Sequence, residues 1–322
     1  MRIGQNANTP TTLEDLLPGA LAARLDRLDL LSRRVFAGKL PGERRSKRRG
    51  QSVEFDDYRE YTPGDDLRHV DWNVFARLDR FFVKLFREDE DLIVHIVLDD
   101  SPSMHGGAHA EAPTKALYAR QLAMAIGYIG LVNQNRVIIE RFGRGSQRKL
   151  SPMRGRRQLD RLAAFLLEPV EPLAGGQAPE AFAESMHRVV SAQRGRGVLL
   201  ILSDFLVPEG VDRGLGFLGA AGAAGCDVSC LQILSPGELD PAVEAQGGLR
   251  GDIRLTDIES GRTSEVTVSG PLLERYRDSL RRFIEGTAES CRKRGIRHLL
   301  LDTSVSVDAV ILDSLRRRRI VG

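Results

Sequence analysis

The sequence predicts an α/β fold: a mostly parallel β-sheet flanked by helices. Two observations lead there. The runs LIVHIVLDD (Leu92 to Asp100) and GVLLILSDF (Gly197 to Phe205) are continuously apolar rather than alternating, the mark of strands buried on both faces, and each ends in carboxylates. From Asp91 onward, strand patterns alternate with helical ones, which calls for crossover helices covering a parallel sheet.

The elements follow in order. Leu13 to Val35 carries leucines at spacings of three and four between charges, an amphipathic helix pattern interrupted at Pro18. A basic run, GERRSKRRGQ (Gly42 to Gln51), leads into a dense polar-aromatic block from Val53 to Asp89. Within it, Thr62-Pro63-Gly64-Asp65 reads as a turn and Phe81 to Phe86 as a strand. After the first buried strand comes a Gly/His/Ala loop, then a helix from Thr114 to Val132. Strands are expected at Arg136 to Phe142 and, shorter, at Gln147 to Leu150, with helices over Arg156 to Leu167 and Pro179 to Gln193. A small-residue helix, Val211 to Ala224, and a strand, Asp227 to Leu234, follow the second buried strand. Asp252 to Val268 reads as a hairpin turning at Ser260-Gly261. A charged helix from Leu272 to Arg294, a strand from Arg297 to Asp302 and a helix from Val307 to Arg317 complete the chain. The expected division is an N-terminal segment, residues 1–90, packed against an α/β domain, residues 91–322.

Composition narrows the functional classes. With 42% hydrophobic residues the 322-residue chain can bury a sizeable core. Its 47 basic and 44 acidic residues nearly cancel, so charge gives no footprint for nucleic acid. Cys226, Cys230 and Cys291 have neither zinc-finger spacing nor an even count, which suits a reducing compartment. The N-terminal residues lack a compact apolar core of the secretory kind, and AMAIGYIGLV (Ala123 to Val132) is about half the ~20 residues a membrane span needs. A cytoplasmic protein without a membrane span is expected.

The chemistry concentrates at the strand ends. Asp99, Ser101 and Ser103 form a D-x-S-x-S spacing just past the first buried strand, and Asp204 ends the second. Open α/β sheets bind ligands at the carboxyl ends of strands, beside the switch in strand order. Two carboxylates and two hydroxyls delivered there are hard oxygen ligands suited to Mg²⁺, with Mn²⁺ or Ca²⁺ as substitutes. An ion held by so few carboxylates stays under-neutralised and would bind a partner's acidic side chain strongly. The competing assignment is structural: Asp and Ser between a strand and a helix also serve as turn and capping residues.

The D-x-S-x-S run after a buried strand resembles the metal ion-dependent adhesion site of von Willebrand factor A domains. The upstream block narrows the resemblance. EFDDYREYTPGDDLRHVDW (Glu54 to Trp72), followed by ARLDRFFVKLFREDEDLIVHIVLDDSPSM (Ala76 to Met104), closely resembles domain-of-unknown-function family 58, bacterial and archaeal proteins with a von Willebrand A-like domain. The similarity is dense from Arg44 to Met104, and the strand–helix order continues it. The resemblance implies a divalent ion held by Asp99, Ser101, Ser103 and Asp204, and a working relation with MoxR-type AAA+ ATPases that remodel or mature other proteins. It also implies a threonine ligand from a loop. This chain has no threonine between Thr114 and Thr256; the matching loop, AGGQAPEAF, offers Gln177 instead, a neutral amide on a longer arm.

Other motifs carry less. Gly214, Gly216 and Gly219 match G-x-G-x-x-G but fall inside a helical stretch, where close packing is their expected role. His105 and His109 sit in a glycine-containing loop. No G-x-S-x-G elbow appears. The arginine runs Arg44 to Arg49 and Arg316 to Arg319 are expected to be solvated or ion-paired. Charges interleaved with aromatics from Glu54 to Arg77 predict an interlocked salt-bridge and hydrogen-bond network that docks the N-terminal segment, or alternatively a partner-binding face.

The function expected is therefore non-enzymatic: an interaction module whose partner is an AAA+ ATPase or its client. The alternatives are a metal-free scaffold of the same fold, a metal-dependent hydrolase using Asp99 and Asp204 with Asp100 as base, and a nucleic-acid binder.

Overall fold

A computed structural model describes residues 10–32, 55–63, 65, 67, 70–86, 92–106, 112–143, 148–169, 181–193, 195–241, 251–256 and 263–322. The chain forms two compact units, one from residues 1–38 with 92–322 and one from residues 39–91. The sequence expectation kept residues 1–90 together. In the structure the leucine-rich stretch within 10–32 belongs to the larger unit.

That stretch is two short helices rather than one long one. α1 (Leu13–Leu16) opens on a capping box in which the Thr12 hydroxyl accepts from the Asp15 amide and Asp15 reaches back to the Thr12 amide. α2 (Gly19–Leu25) begins directly after Pro18, whose fixed φ suits a helix entry and whose missing N–H is not needed there. Beyond Leu25 the chain leaves the helix, and Leu28 and Leu30 are buried from an irregular segment. Residues 33–35 of the expected helix lie outside the described residues.

The smaller unit contains β1 (Phe55–Glu60), α3 (Trp72–Leu78) and β2 (Phe82–Phe86), with β1 antiparallel to β2. Polar contacts link residues within this unit. Asp71 caps α3 through the amides of Asn73 and Val74 and accepts from the Tyr58 hydroxyl at 2.8 Å. Arg59 pairs with Asp65 at 2.9 Å, and Arg80 with Glu60. Phe75 stacks on Phe81, with Trp72 edge-on to both.

The larger unit continues with β3 (Ile93–Asp99), α4 (Lys115–Val132), β4 (Arg136–Phe142), β5 (Arg148–Met153), α5 (Leu159–Leu167), α6 (Phe182–Ala192), β6 (Gly197–Ser203), α7 (Asp212–Ala223), β7 (Cys226–Leu234) and α8 (Pro236–Leu239). Then come β8 (Gly251–Thr256) paired with β9 (Thr263–Val268), α9 (Gly270–Lys293), β10 (Arg297–Asp302) and α10 (Val307–Ala309), which runs on as a π-type turn to Leu315. The main sheet has the order β10-β7-β6-β3-β4-β5, parallel except for β5 at one edge. This is the mostly parallel α/β sheet flanked by helices that the sequence predicts.

Both faces of the sheet are covered. Val94, Ile96 and Leu98 of β3 enter one core with α1, α2, α4 and α5, while Val97 enters the other with α6 and α7. The period-two alternation of a strand thus feeds two apolar layers, which is why the sequence shows an apolar run broken only by His95. α4 is buried along nearly its whole length because α1 and α2 lie over it on the side away from the sheet. Burying Leu16, Leu21 and Leu25 there contributes on the order of 1.5–3 kcal/mol each. The segment is tied down at its end by Leu30, which bridges Val321, and by the Ser32 hydroxyl, which donates to Asp227 Oδ2 at 2.6 Å.

Candidate functional site

The strand order reverses at β3: the chain moves outward through β4 and β5, then returns to place β6 on the other side of β3. The crevice at the carboxyl ends of β3 and β6 is the topological switch point, where α/β sheets bind ligands. Asp99 ends β3, and the parallel register puts Ser203 beside it, since Leu98 pairs with Leu202. The Ser203 hydroxyl donates to Asp99 Oδ2 at 2.5 Å, and the Ser101 amide donates to Asp99 Oδ1 at 2.8 Å. Asp99 is buried. Desolvation and then the nearby charge of Asp204 push its carboxyl up to about 7, against the pull of the Ser203 and Ser101 hydrogen bonds.

The loop after Asp99 is held from several sides. Pro102–His105 forms a 3₁₀ turn with the Met104 side chain fully buried in the core beneath it. Ser101 and Ser103 bring their hydroxyl oxygens within 3.0 Å of each other. Gly143 lies over this turn with φ +98°, and a Cβ there would stand 2.8 Å from the Ser101 nitrogen. Only glycine meets both the backbone conformation and the approach.

After β6 the backbone is strained. Phe205 is fully buried at φ +59°, a region that bulky residues rarely adopt. Its amide donates to Ser203 Oγ, and its ring packs edge-on to Phe182. Such strain persists where the surroundings over-determine it, which is common at functional sites.

The structure therefore brings Asp99, Ser101, Ser103 and Asp204 to one crevice, but with unequal roles. Asp204 Oδ1 accepts from the Leu206 amide at 3.0 Å, and Oδ2 accepts from Lys115 Nζ at 2.8 Å. Lys115 also bonds Glu238, which is fixed by the Ser235 capping box of α8. Burial opposes the charge on Lys115, but Asp204 and Glu238 outweigh it and hold its pKa above the ordinary value. Asp100 points elsewhere, toward Arg141 at 3.5 Å and Arg120 at 3.9 Å. Arg141 in turn lies over the Phe165 ring and bonds the carbonyls of Phe165 and Glu168.

Sequence reasoning did not single out Lys115, Ser203 or Glu238. The available signal was Lys115 itself, a charge at the start of the mainly apolar run KALYARQLAMAIGYIGLV. Gln177 and His109 lie outside the described residues, and His105 is half-buried at the end of the 3₁₀ turn. Gly214 packs so closely on Phe182 that a Cβ would come within 2.4 Å of the ring, so it serves helix packing. Arg316 to Arg319 are exposed beyond the π-type turn.

Among the described residues no three or more His, Cys, Asp or Glu side chains converge as a metal cage. With Asp204 salt-bridged to Lys115, an ion in the crevice would meet Asp99 beside the Ser101 and Ser103 hydroxyls. That set fits Mg²⁺ or Mn²⁺, which keep several waters, better than Ca²⁺, which takes six to eight oxygens. Among the described residues no helix is long and apolar enough to cross a membrane.

The chain is similar to several known proteins. The uncharacterized protein Mb1516 of Mycobacterium bovis is 29% identical over 259 residues, covering 80% of this chain and 76% of its own. The uncharacterized protein MAV169 of Mycobacterium avium is 30% identical over 128 residues, 39% of this chain and 69% of its own. Among solved structures, the conserved hypothetical protein BatB from Bacteroides thetaiotaomicron aligns with a TM-score of 0.43 at 17% identity, covering 70% of this chain and 98% of its own. The SpRpn10 VWA domain aligns with a TM-score of 0.35 at 12% identity, covering 70% and 95%. The family model described as "Protein of unknown function DUF58" matches residues 57–285, most of the chain, and the protein belongs to that family.

Proposed function

We propose that this chain is a non-enzymatic protein-interaction module that grips an acidic side chain of a partner through a divalent ion, Mg²⁺ or Mn²⁺, at the switch-point crevice. The observation that carries the reading is the convergence of the Ser101 and Ser103 hydroxyls beside the buried Asp99 carboxylate. These three side chains would hold the ion. The ion would supply a Lewis-acidic positive charge facing the crevice mouth. Asp204, placed on Lys115, supports the site from behind.

The non-enzymatic reading is favoured over a hydrolase because Asp100, the acid beside Asp99, is turned toward Arg141 and Arg120 rather than toward the crevice. The family resemblance supports a MoxR-type AAA+ ATPase, or its client, as the partner. A cytoplasmic setting is supported by the three cysteines, none of which forms a disulfide. The metal-free scaffold remains the second reading, favoured by the ammonium that already stands on Asp204.

The test is co-purification of a MoxR-type ATPase from the same cell with the tagged chain, in Mg²⁺ or in chelator. The reading expects capture in Mg²⁺, loss in chelator, and loss with Asp99→Ala while the variant keeps its far-UV spectrum. Capture unaffected by chelator and by Asp99→Ala contradicts the metal bridge.

A further inference from the structure

Lys115 is the first residue of α4, and the helix delivers its ammonium to the interior rather than to solvent. The side chain is 0% exposed, yet it is paired twice, with Asp204 at 2.8 Å and with Glu238. Glu238 cannot swing away freely, because its other oxygen accepts from the Ser235 amide at 2.8 Å and the Ser235 hydroxyl at 3.1 Å. Both oxygens of Asp204 are engaged, one by Lys115 and one by the Leu206 amide. Asp99 differs. Among the described residues its partners are neutral, the Ser203 hydroxyl and the Ser101 amide.

We infer that Lys115 is a built-in counter-cation that withdraws Asp204 from the ligand set and leaves Asp99 as the one carboxylate this crevice offers a divalent ion. The inference rests on the metal-bridge reading and deepens it in two ways. An ion held by Asp99 and two neutral hydroxyls keeps about one unit of positive charge unbalanced, and a carboxylate from a partner supplies it. The fixed ammonium also repels the ion, so the site binds metal weakly alone and more strongly with the partner's acid in place. This makes Lys115 a positioning residue that sets affinity and couples metal to partner, and it marks the ligand as a carboxylate-bearing protein segment.

Isothermal titration of Mn²⁺ alone into the chelator-treated full chain tests this. The variants are Asp204→Asn, which is isosteric and leaves Lys115 paired with Glu238, and Lys115→Gln. The double variant Lys115→Gln/Glu238→Gln loses one charge of each sign and carries the same test should the single lysine variant not fold. The inference expects Asp204→Asn to keep Mn²⁺ affinity within a few-fold, and the lysine variants to bind on the order of tenfold more tightly. Loss of Mn²⁺ binding in Asp204→Asn as complete as in Asp99→Ala overturns it, as does unchanged or weaker binding in the lysine variants. Absence of Mn²⁺ binding by the wild-type chain defeats the metal-bridge reading separately. The inference is then upheld if removing Lys115 creates Mn²⁺ binding, and overturned if it does not.

Discussion

Lys115 Nζ lies 2.8 Å from Asp204 Oδ2 with both side chains essentially dry, 0% and 1% exposed. A buried pair of this kind stabilises little relative to an apolar core, but breaking it strands a charge. Lys115→Met should therefore lower unfolding stability by about 3–5 kcal/mol, measured by urea denaturation at neutral pH. The folded-state pKa of Lys115 lies above the 10.5 of the ordinary side chain. Its contribution is thus full below that value and is lost as pH rises through the folded-state value. A Lys115→Met loss under about 1 kcal/mol would show that the pair is not formed.

Asp99 has a linkage of the same sign at lower pH. Its carboxyl is raised from 3.8 to about 7, so over that interval the native state holds a proton that the unfolded chain releases. Stability in chelator should fall as pH rises from about 4 to about 7 and then level off. Asp99→Asn should remove that slope, and urea midpoints at about pH 5 and about pH 8 report it. An unchanged slope in the variant assigns the dependence to another group.

Gly143→Ala places a Cβ 2.8 Å from the Ser101 nitrogen and 3.1 Å from Asp99 Oδ1, on a backbone at φ +98°. The variant should lose about 1–3 kcal/mol and displace the Asp99–Ser101 turn. Thermal denaturation measures the first effect, and a weaker metal-induced shift the second. A neutral substitution would mean that the turn can move away.

Ser32→Ala removes the 2.6 Å bond to Asp227 that fastens the N-terminal segment to the start of β7. Asp227 keeps Arg297 nearby at 3.8 Å, so the loss should be about 1–3 kcal/mol rather than larger. Amide hydrogen exchange should quicken through Leu21 to Leu30 in the variant. Unchanged exchange there would show that the leucines alone hold the segment.

Much of the α/β unit was legible because its central strands are long, mainly apolar runs that alternate with helical patterns. Arg136–Phe142 and Arg297–Asp302 are expected and observed with the same bounds, and α4 begins one residue after its Thr114 cap. The N-terminal helix was over-extended because Leu28 and Leu30 continue the leucine pattern while packing from non-helical backbone. β1 and α3 were missed because FDDYRE and WNVFARL show neither clean alternation nor a clean helical stripe. At the site, the strand-end positions of Asp99 and Asp204 were legible from the apolar runs, and Ser101 and Ser103 stood out through the D-x-S-x-S spacing. Lys115 and Glu238 were not, because their meeting with Asp204 spans separations of 89 and 123 residues that no local pattern encodes.

The most direct measurement is thermal unfolding of the chelator-treated chain with and without millimolar Mg²⁺, Mn²⁺ or Ca²⁺, beside Asp99→Ala. An ion that binds only the native state must stabilise it. The account predicts a rise in Tm with Mg²⁺ and Mn²⁺, smaller with Ca²⁺, that Asp99→Ala eliminates. No shift with any ion, or a shift that survives in Asp99→Ala, contradicts it and leaves the strand-end crevice a hydrogen-bonded scaffold.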